Sequence, residues 1–295
     1  MILDGRAVQS FILDSGIGFE RIKEQPILKE GRVLGWHSYC FSDSNYPISG
    51  GTHPRREIAR RIAIAEALER VVVEKLSRDQ SLKDRFLLDE FPSSSGFAAG
   101  FDNVTTKNRA ICEGVERWAW SQWVDYEKGL IEENPLSVSM DPLSQYFMSQ
   151  FDDTKFFSKD LTVSVSGRPF RFKFYVVIGL KGDGVFPGSR VTSGKLMGWD
   201  HGILEAWRNF NNFEVSQKKS NEEAKNWLSE RVKYYGRNGK KALERISQIQ
   251  NQSWPEGQIR LLSAVPLELQ NVHVWRCLLR DFLPWQTGDE TRFVI

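Results

Sequence analysis

The 295-residue sequence predicts an α+β fold. Helical patterning is strong over about 55–75 and 105–123, and two β-rich runs between 161 and 180 meet at the polar break Ser166-Gly167-Arg168. Further strands lie before and after these segments, so strands and helices are partly interleaved and partly segregated.

Taken in order, the first 50 residues read as loops and strands, with Arg32 to Phe41 alternating enough for a strand. Pro47 to Pro54 (P-I-S-G-G-T-H-P) reads as a turn-rich loop, and a helix follows from Arg55 to about Lys75. A second turn-rich segment, Phe91 to Phe101, precedes the helix from about Thr105 to Trp123. The break at Ser166 to Arg168 predicts a hairpin, and Trp199 to Phe213 is helical. The charged stretches around Ser220 to Tyr235 and Lys240 to Gln250 read as a solvated helical insertion near 218–252, with Gly236-Arg237-Asn238-Gly239 as the turn and C-cap between two helices. Ile259 to Ala264 and Val272 to Arg280 are the closing strands, and no linker marks a boundary, so one domain over 1–295 is expected.

Composition narrows the function. Forty Lys and Arg against 38 Asp and Glu leave a net charge of +2, which announces neither a nucleic-acid nor a membrane partner. No run approaches the roughly 18 apolar residues of a membrane span, and Met1 to Arg6 does not open a signal peptide, so a cytoplasmic protein is expected. Cys40, Cys112 and Cys277 are scattered, which argues against a disulfide framework or zinc site and for small core residues. The four histidines are dispersed; His53, beside the first Gly loop, is the one to watch. H-E-x-x-H, G-x-S-x-G, G-x-G-x-x-G and a correctly spaced P-loop are all missing.

What repeats is Glu-x-x-Glu-Arg. Glu66, Glu69 and Arg70 follow the Ser49-Gly50-Gly51 loop; Glu113, Glu116 and Arg117 follow the Ser94-Ser95-Gly96 loop. Spacing of three puts each acid pair on one helix face. The first run, Ile62 to Val73, is apolar nearly all round and therefore predicts burial, where a carboxylate must be paired, protonated or bound to metal. On the second helix Ile111, Val115 and Trp118 form a core stripe, while Arg109, Glu113, Glu116, Arg117 and Trp120 share the opposite face. Magnesium takes a few carboxylates plus phosphate oxygens, and Arg grips phosphate bidentately. The two segments are expected to build one magnesium–nucleotide site. Taken alone, either is an ordinary surface acidic pair with a local salt bridge.

At these residues the chain resembles the YcaO family, from about residue 15 onward. The most specific stretch is Ser94 to Trp118, with Ser94-Ser95-Gly96-Phe97-Ala98-Ala99-Gly100 as the second loop. Pro187-Gly188-Ser189 leading to the helix with Glu205 and Arg208 is a third match, and Val272 to Arg276 is similar to the family's closing strand. The resemblance implies a YcaO-like α+β fold around one nucleotide site, and ATP-dependent, Mg2+-dependent activation of a peptide backbone amide. The carbonyl oxygen is phosphorylated after a nucleophile attacks, and phosphate then leaves, giving an azoline or, with sulfide, a thioamide. It implies Glu66, Glu69, Glu113 and Glu116 as Mg2+ ligands, and Ser49, Gly50, Arg70, Ser94, Ser95, Arg117 and Arg208 as nucleotide-binding residues; no catalytic residue is assigned. A ribosomally made peptide substrate, a separate protein that presents it, and a homodimer are the implied partners. Gly51 stands where relatives often have lysine, Ser95 where they often have asparagine, and Phe101 where ATP-binding relatives are often polar. These departures keep an alternative open: a non-catalytic YcaO-like subunit that binds nucleotide or a partner as a scaffold.

Overall fold

The computed structural model describes residues 21–42, 47–134, 138–194, 197–218, 227–249, 252–266, 272–284, 287–288 and 291–293. Along the chain run β1 (Arg21–Lys29), β2 (Arg32–Phe41), β3 (Pro47–His53), α1 (Arg56–Leu76), α2 (Gln80–Phe86), β4 (Phe97–Gly100), α3 (Asn103–Val124), β5 (Ile131–Glu132), α4 (Pro142–Met148), β6 (Asp153–Val165), β7 (Arg168–Lys181), β8 (Gly184–Ser193), α5 (Trp199–Lys218), α6 (Trp227–Ser247), β9 (Gly257–Pro266) and β10 (His273–Leu279). The α+β class is as the sequence predicts. No helix of the described residues is long and apolar enough to cross a membrane. None of the three cysteines forms a disulfide, and burial pushes the Cys40 thiol up to about 11, as befits a core residue.

The chain clusters into two compact units, 1–111 with 261–277 and 112–260 with 278–295. In the first, β1, β2 and β3 form an antiparallel meander whose first turn is closed by Glu30 and Gly31, both at positive φ. The expected loop at Pro47 to Pro54 is instead the strand β3. Its glycines serve contact rather than turning: a Cβ on Gly51 would stand 2.2 Å from the Ala59 carbonyl oxygen and 2.6 Å from the Ala63 nitrogen of α1. Small residues on both sides let strand and helix backbones approach, and Ala63, Ile64, Ala67, Leu68 and Val72 pack into a core with Phe86, Phe97 and Val274. Ile62, expected inside, is exposed.

Asp79 caps α2 by accepting from Leu82 N–H at 3.0 Å. The segment Phe91 to Phe101 is not all turn, because β4 occupies its end and pairs antiparallel with β10, Phe97 opposite Arg276 and Gly100 opposite His273. Phe101 packs against the same core, which accounts for an apolar side chain where a polar one is expected.

In the second unit β6, β7 and β8 form a long antiparallel ribbon. Ser166 and Gly167, both at positive φ, close the expected hairpin, which runs well beyond the predicted limits. β5 lies antiparallel to β6, and the start of β9 lies parallel to it. The helix α5 packs on β8 where Gly188 permits it: a Cβ there would meet the Gly202 carbonyl at 2.1 Å. Within 218–252 the described part is one helix, α6, with no turn at Gly236 to Gly239. Those glycines stay helical because Phe213 and Val185 press against them, at 2.2 Å and 2.5 Å from where a Cβ would be. Nor is α6 simply a solvated insertion: Val232, Tyr235, Leu243 and Ile246 are buried, as is Arg231, which donates to the carbonyls of Thr287 and Gly288.

Candidate functional site

The first Glu-x-x-Glu-Arg segment faces its glycine loop. Glu66 accepts from Gly50 N–H at 3.2 Å and pairs with Arg70 at 2.8 Å, one helical turn on. Ser49 donates to the Ala63 carbonyl at 2.7 Å, so its hydroxyl ties β3 to α1. Glu69 is buried, while Arg70 keeps 55% of its side-chain surface. Ser49, Gly50, Glu66 and Arg70 are thus brought together. His53 turns inward on its own loop, where Nδ1 accepts from Arg55 N–H at 3.0 Å.

Ser94 and Ser95 belong to the same unit, on a loop held from behind. The buried Arg276 of β10 donates to the carbonyls of Phe86, Phe91 (2.8 Å), Ser93 (3.1 Å) and Ser95 (3.3 Å). Its guanidinium also lies over the Phe97 ring, 4.6 Å from the centroid. Sequence reasoning placed Arg276 on a closing strand and gave it no task; an arginine among Val274, Trp275, Cys277 and Leu278 was the available signal.

The second segment is built differently. Glu116 is only 8% accessible and both its oxygens are occupied: Oε1 accepts from Ser189 Oγ at 2.8 Å, Oε2 from Val191 N–H at 3.0 Å. Arg117 lies 3.7 Å from Glu113 and 3.9 Å from Glu116. Trp120, expected on the polar face, is buried, because its indole N–H finds Ser189 Oγ at 2.7 Å and its ring sits among Trp123, Phe174 and Phe293.

The third match converges on the same place. On α5, Glu205 accepts from Arg208 at 2.6 Å and lies 3.6 Å from His201 Nε2. Burial alone would raise the Glu205 carboxyl, but Arg208, then His201, Arg117 and Arg190, together hold it below the usual carboxylate range. Burial and then Arg190 push His201 down to about 4, so it is neutral near pH 7. His201 nonetheless keeps 39% of its side-chain surface, and Glu205 and Glu116 oppose the push of burial, Arg190 and Arg208. Arg117, Arg190 and Arg208 therefore act on one carboxylate, with Glu113 and Glu116 also beside Arg117.

Such a cluster suits a polyanion. Guanidinium forks match phosphate oxygens, and the part-exposed Glu113 beside Arg117 is an oxygen donor for a hard cation. Among the described residues no three His, Cys, Asp or Glu side chains converge as a ready metal cage. A magnesium ion completed by phosphate oxygens and water needs only one or two carboxylates, so the donor set fits magnesium carried on a nucleotide. Sequence reasoning named Ser189 in the third match without giving it a role, missed Arg190, and assigned His201 nothing. For Arg190 the sign was its place directly after Pro187-Gly188-Ser189, in the strand before the α5 helix.

No protein-family profile and no curated protein matches the sequence. Solved structures do match. A YcaO from Methanopyrus kandleri bound with AMPPCP and Mg2+ is similar over 98% of this chain and 92% of its own, with TM-score 0.60 and 13% identity. The E. coli microcin synthetase McbBCD complex with pro-MccB17 bound includes a chain similar over 88% and 86%, with TM-score 0.58 and 10% identity. A heterocyclase in complex with substrate and cofactor is similar over 94% of this chain and 52% of its own, with TM-score 0.53 and 12% identity. The fold is that of YcaO proteins.

Proposed function

We propose that the protein is an ATP- and Mg2+-dependent enzyme that activates a backbone amide of a ribosomally made peptide, in the cytoplasm and together with a protein that presents the substrate. The observation that carries this reading is the cluster of Arg117, Arg190 and Arg208 around Glu205, beside the anchored acids of the second motif. The fold adds support, since similar chains are a YcaO bound with AMPPCP and Mg2+ and a synthetase complex with pro-MccB17 bound.

In this reading the nucleotide supplies the phosphoryl group that turns the amide oxygen into a leaving group. The chain supplies binding and electrostatics. Arg117 and Arg208 hold phosphate oxygens, with Arg190 adding positive charge. Glu113 and Glu116, and in the first unit Glu66 and Glu69, are assigned to Mg2+; Ser49, Gly50, Arg70, Ser94 and Ser95 are assigned to nucleotide binding. The nucleophile decides between azoline and thioamide.

The scaffold reading keeps one observation in its favour. No side chain fits at Gly51, so the first loop offers no cation of its own where relatives often have lysine. Calorimetry with ATP and Mg2+ tests the site: wild type binds, and Glu113→Ala and Arg117→Ala each weaken binding at least about tenfold, as loss of a charged contact does. Absence of wild-type binding, or equal binding by Glu113→Ala, sinks it. Phosphate release that requires both a precursor peptide and the presenting protein rejects the scaffold.

A further inference from the structure

We propose that Trp120 is a positioning residue for Glu116, acting through the hydroxyl of Ser189; its role in binding rests on the nucleotide reading above. An indole N–H can only donate, and an ionised carboxylate can only accept. Ser189 Oγ lies between them, 2.7 Å from Trp120 Nε1 and 2.8 Å from Glu116 Oε1. It accepts from the indole, which cannot accept in return, so of the two neighbours its single proton can go only to the carboxylate. The hydroxyl rotor is locked, and with Val191 N–H on Oε2 at 3.0 Å both Glu116 oxygens are held in place.

The three side chains are buried, so water does not readily substitute for any link. The indole is itself fixed, with ring centroids of Trp123 at 5.0 Å, Phe174 at 6.1 Å and Phe293 at 6.2 Å. Order therefore passes from an aromatic cluster, through one hydroxyl, to an acid of the second motif. A phenylalanine at 120 keeps most of that packing yet removes the donor that fixes Ser189 Oγ opposite Glu116. Orientation of Glu116 is what is lost.

Two measurements decide it. Without nucleotide, the Trp120 indole resonance in a 15N-labelled sample, assigned by its disappearance in Trp120→Phe, shifts in Ser189→Ala and also in Glu116→Gln, while the other indoles hold their positions. An indole resonance that ignores Glu116→Gln overturns the relay. For Mg2+–ATP binding by calorimetry, Trp120→Phe and Ser189→Ala each weaken affinity roughly tenfold, about the worth of one hydrogen bond to a charged group, and the double variant is no weaker than either alone. Additive losses mean that Trp120 acts by packing alone, which also overturns the proposal. Should Trp120→Phe fail to fold, the indole is assigned instead by through-bond and through-space NMR correlations of the wild type, and Ser189→Ala and Glu116→Gln carry both arms, with the same non-additivity expected. If wild type binds no Mg2+–ATP while the indole still follows Glu116, the relay stands and the nucleotide reading fails.

Discussion

The two Glu-x-x-Glu-Arg segments share a burial pattern and differ in everything around it. In each, the first glutamate is partly open and pairs with the arginine one turn on, while the second glutamate is buried. Arg70, however, is 55% exposed at 2.8 Å from its acid, whereas Arg117 is 24% exposed, stands 3.7 Å from Glu113 and acts on Glu205 alongside two further arginines. One arginine has its charge answered by a neighbour. The other belongs to a less exposed group in which Arg117, Arg190 and Arg208 lie among Glu113, Glu116 and Glu205, and that is where several guanidinium forks can reach one anion. The same five-residue pattern is thus a local ion pair in one setting and part of an anion site in the other.

The largest test of this contrast is the acids themselves. Glu116→Ala strands the buried donors of Ser189 and Val191 and costs roughly 2–5 kcal/mol, while Glu66→Ala removes a part-exposed pair and costs under about 1 kcal/mol. Urea unfolding of both variants measures the gap, and equal losses would end the comparison. Next come the strand glycines that seat each region. Gly51→Ala and Gly188→Ala each push a methyl into helix backbone, at 2.2 Å and 2.1 Å, and each should destabilise by about 1–3 kcal/mol in the same assay. A variant as stable as wild type would show that strand and helix can separate at no cost.

The smallest effect is acid sensitivity. His201 titrates near 4 in the folded protein, whereas an unfolded chain takes up its proton near 6.5. Falling pH therefore favours unfolding through that window, and stability present above about 6.5 is lost on the way down. Allowing for the exposure of the imidazole, the loss is about 1 kcal/mol. Between pH 7.5 and 5, His201→Gln should lose that much less stability than wild type; parallel pH profiles would show that burial and Arg190 do not hold His201 neutral.

Much of this was legible in the chain. The helix limits around 56–76 and 103–124 and the turn at Ser166-Gly167 follow from periodicity and from residues that tolerate positive φ. What misled was glycine used for something other than turning. Gly50-Gly51 and Gly236 to Gly239 read as punctuation, yet the first pair lies within a strand and the others within a helix, because Ala59, Phe213 and Val185 lie where a Cβ would go. A glycine needed for close approach looks the same in sequence as one needed for a turn; only the partner, far along the chain, tells them apart. The site was half legible for the same reason. Glutamates and arginines at helical spacing declare themselves, but Ser189, Arg190 and Arg276 take their meaning from elements distant in sequence.

The clamp made by Arg276 has a consequence for how the protein is made. Its target, the carbonyl of Ser95, lies 181 residues earlier. At about 5–20 residues per second of synthesis, that loop waits roughly 10–40 s for its guanidinium, with β4 lacking its β10 partner throughout. The Ser94 to Gly100 segment cannot mature on the ribosome in step with its own translation. It is among the last parts of the first unit to gain its full set of partners.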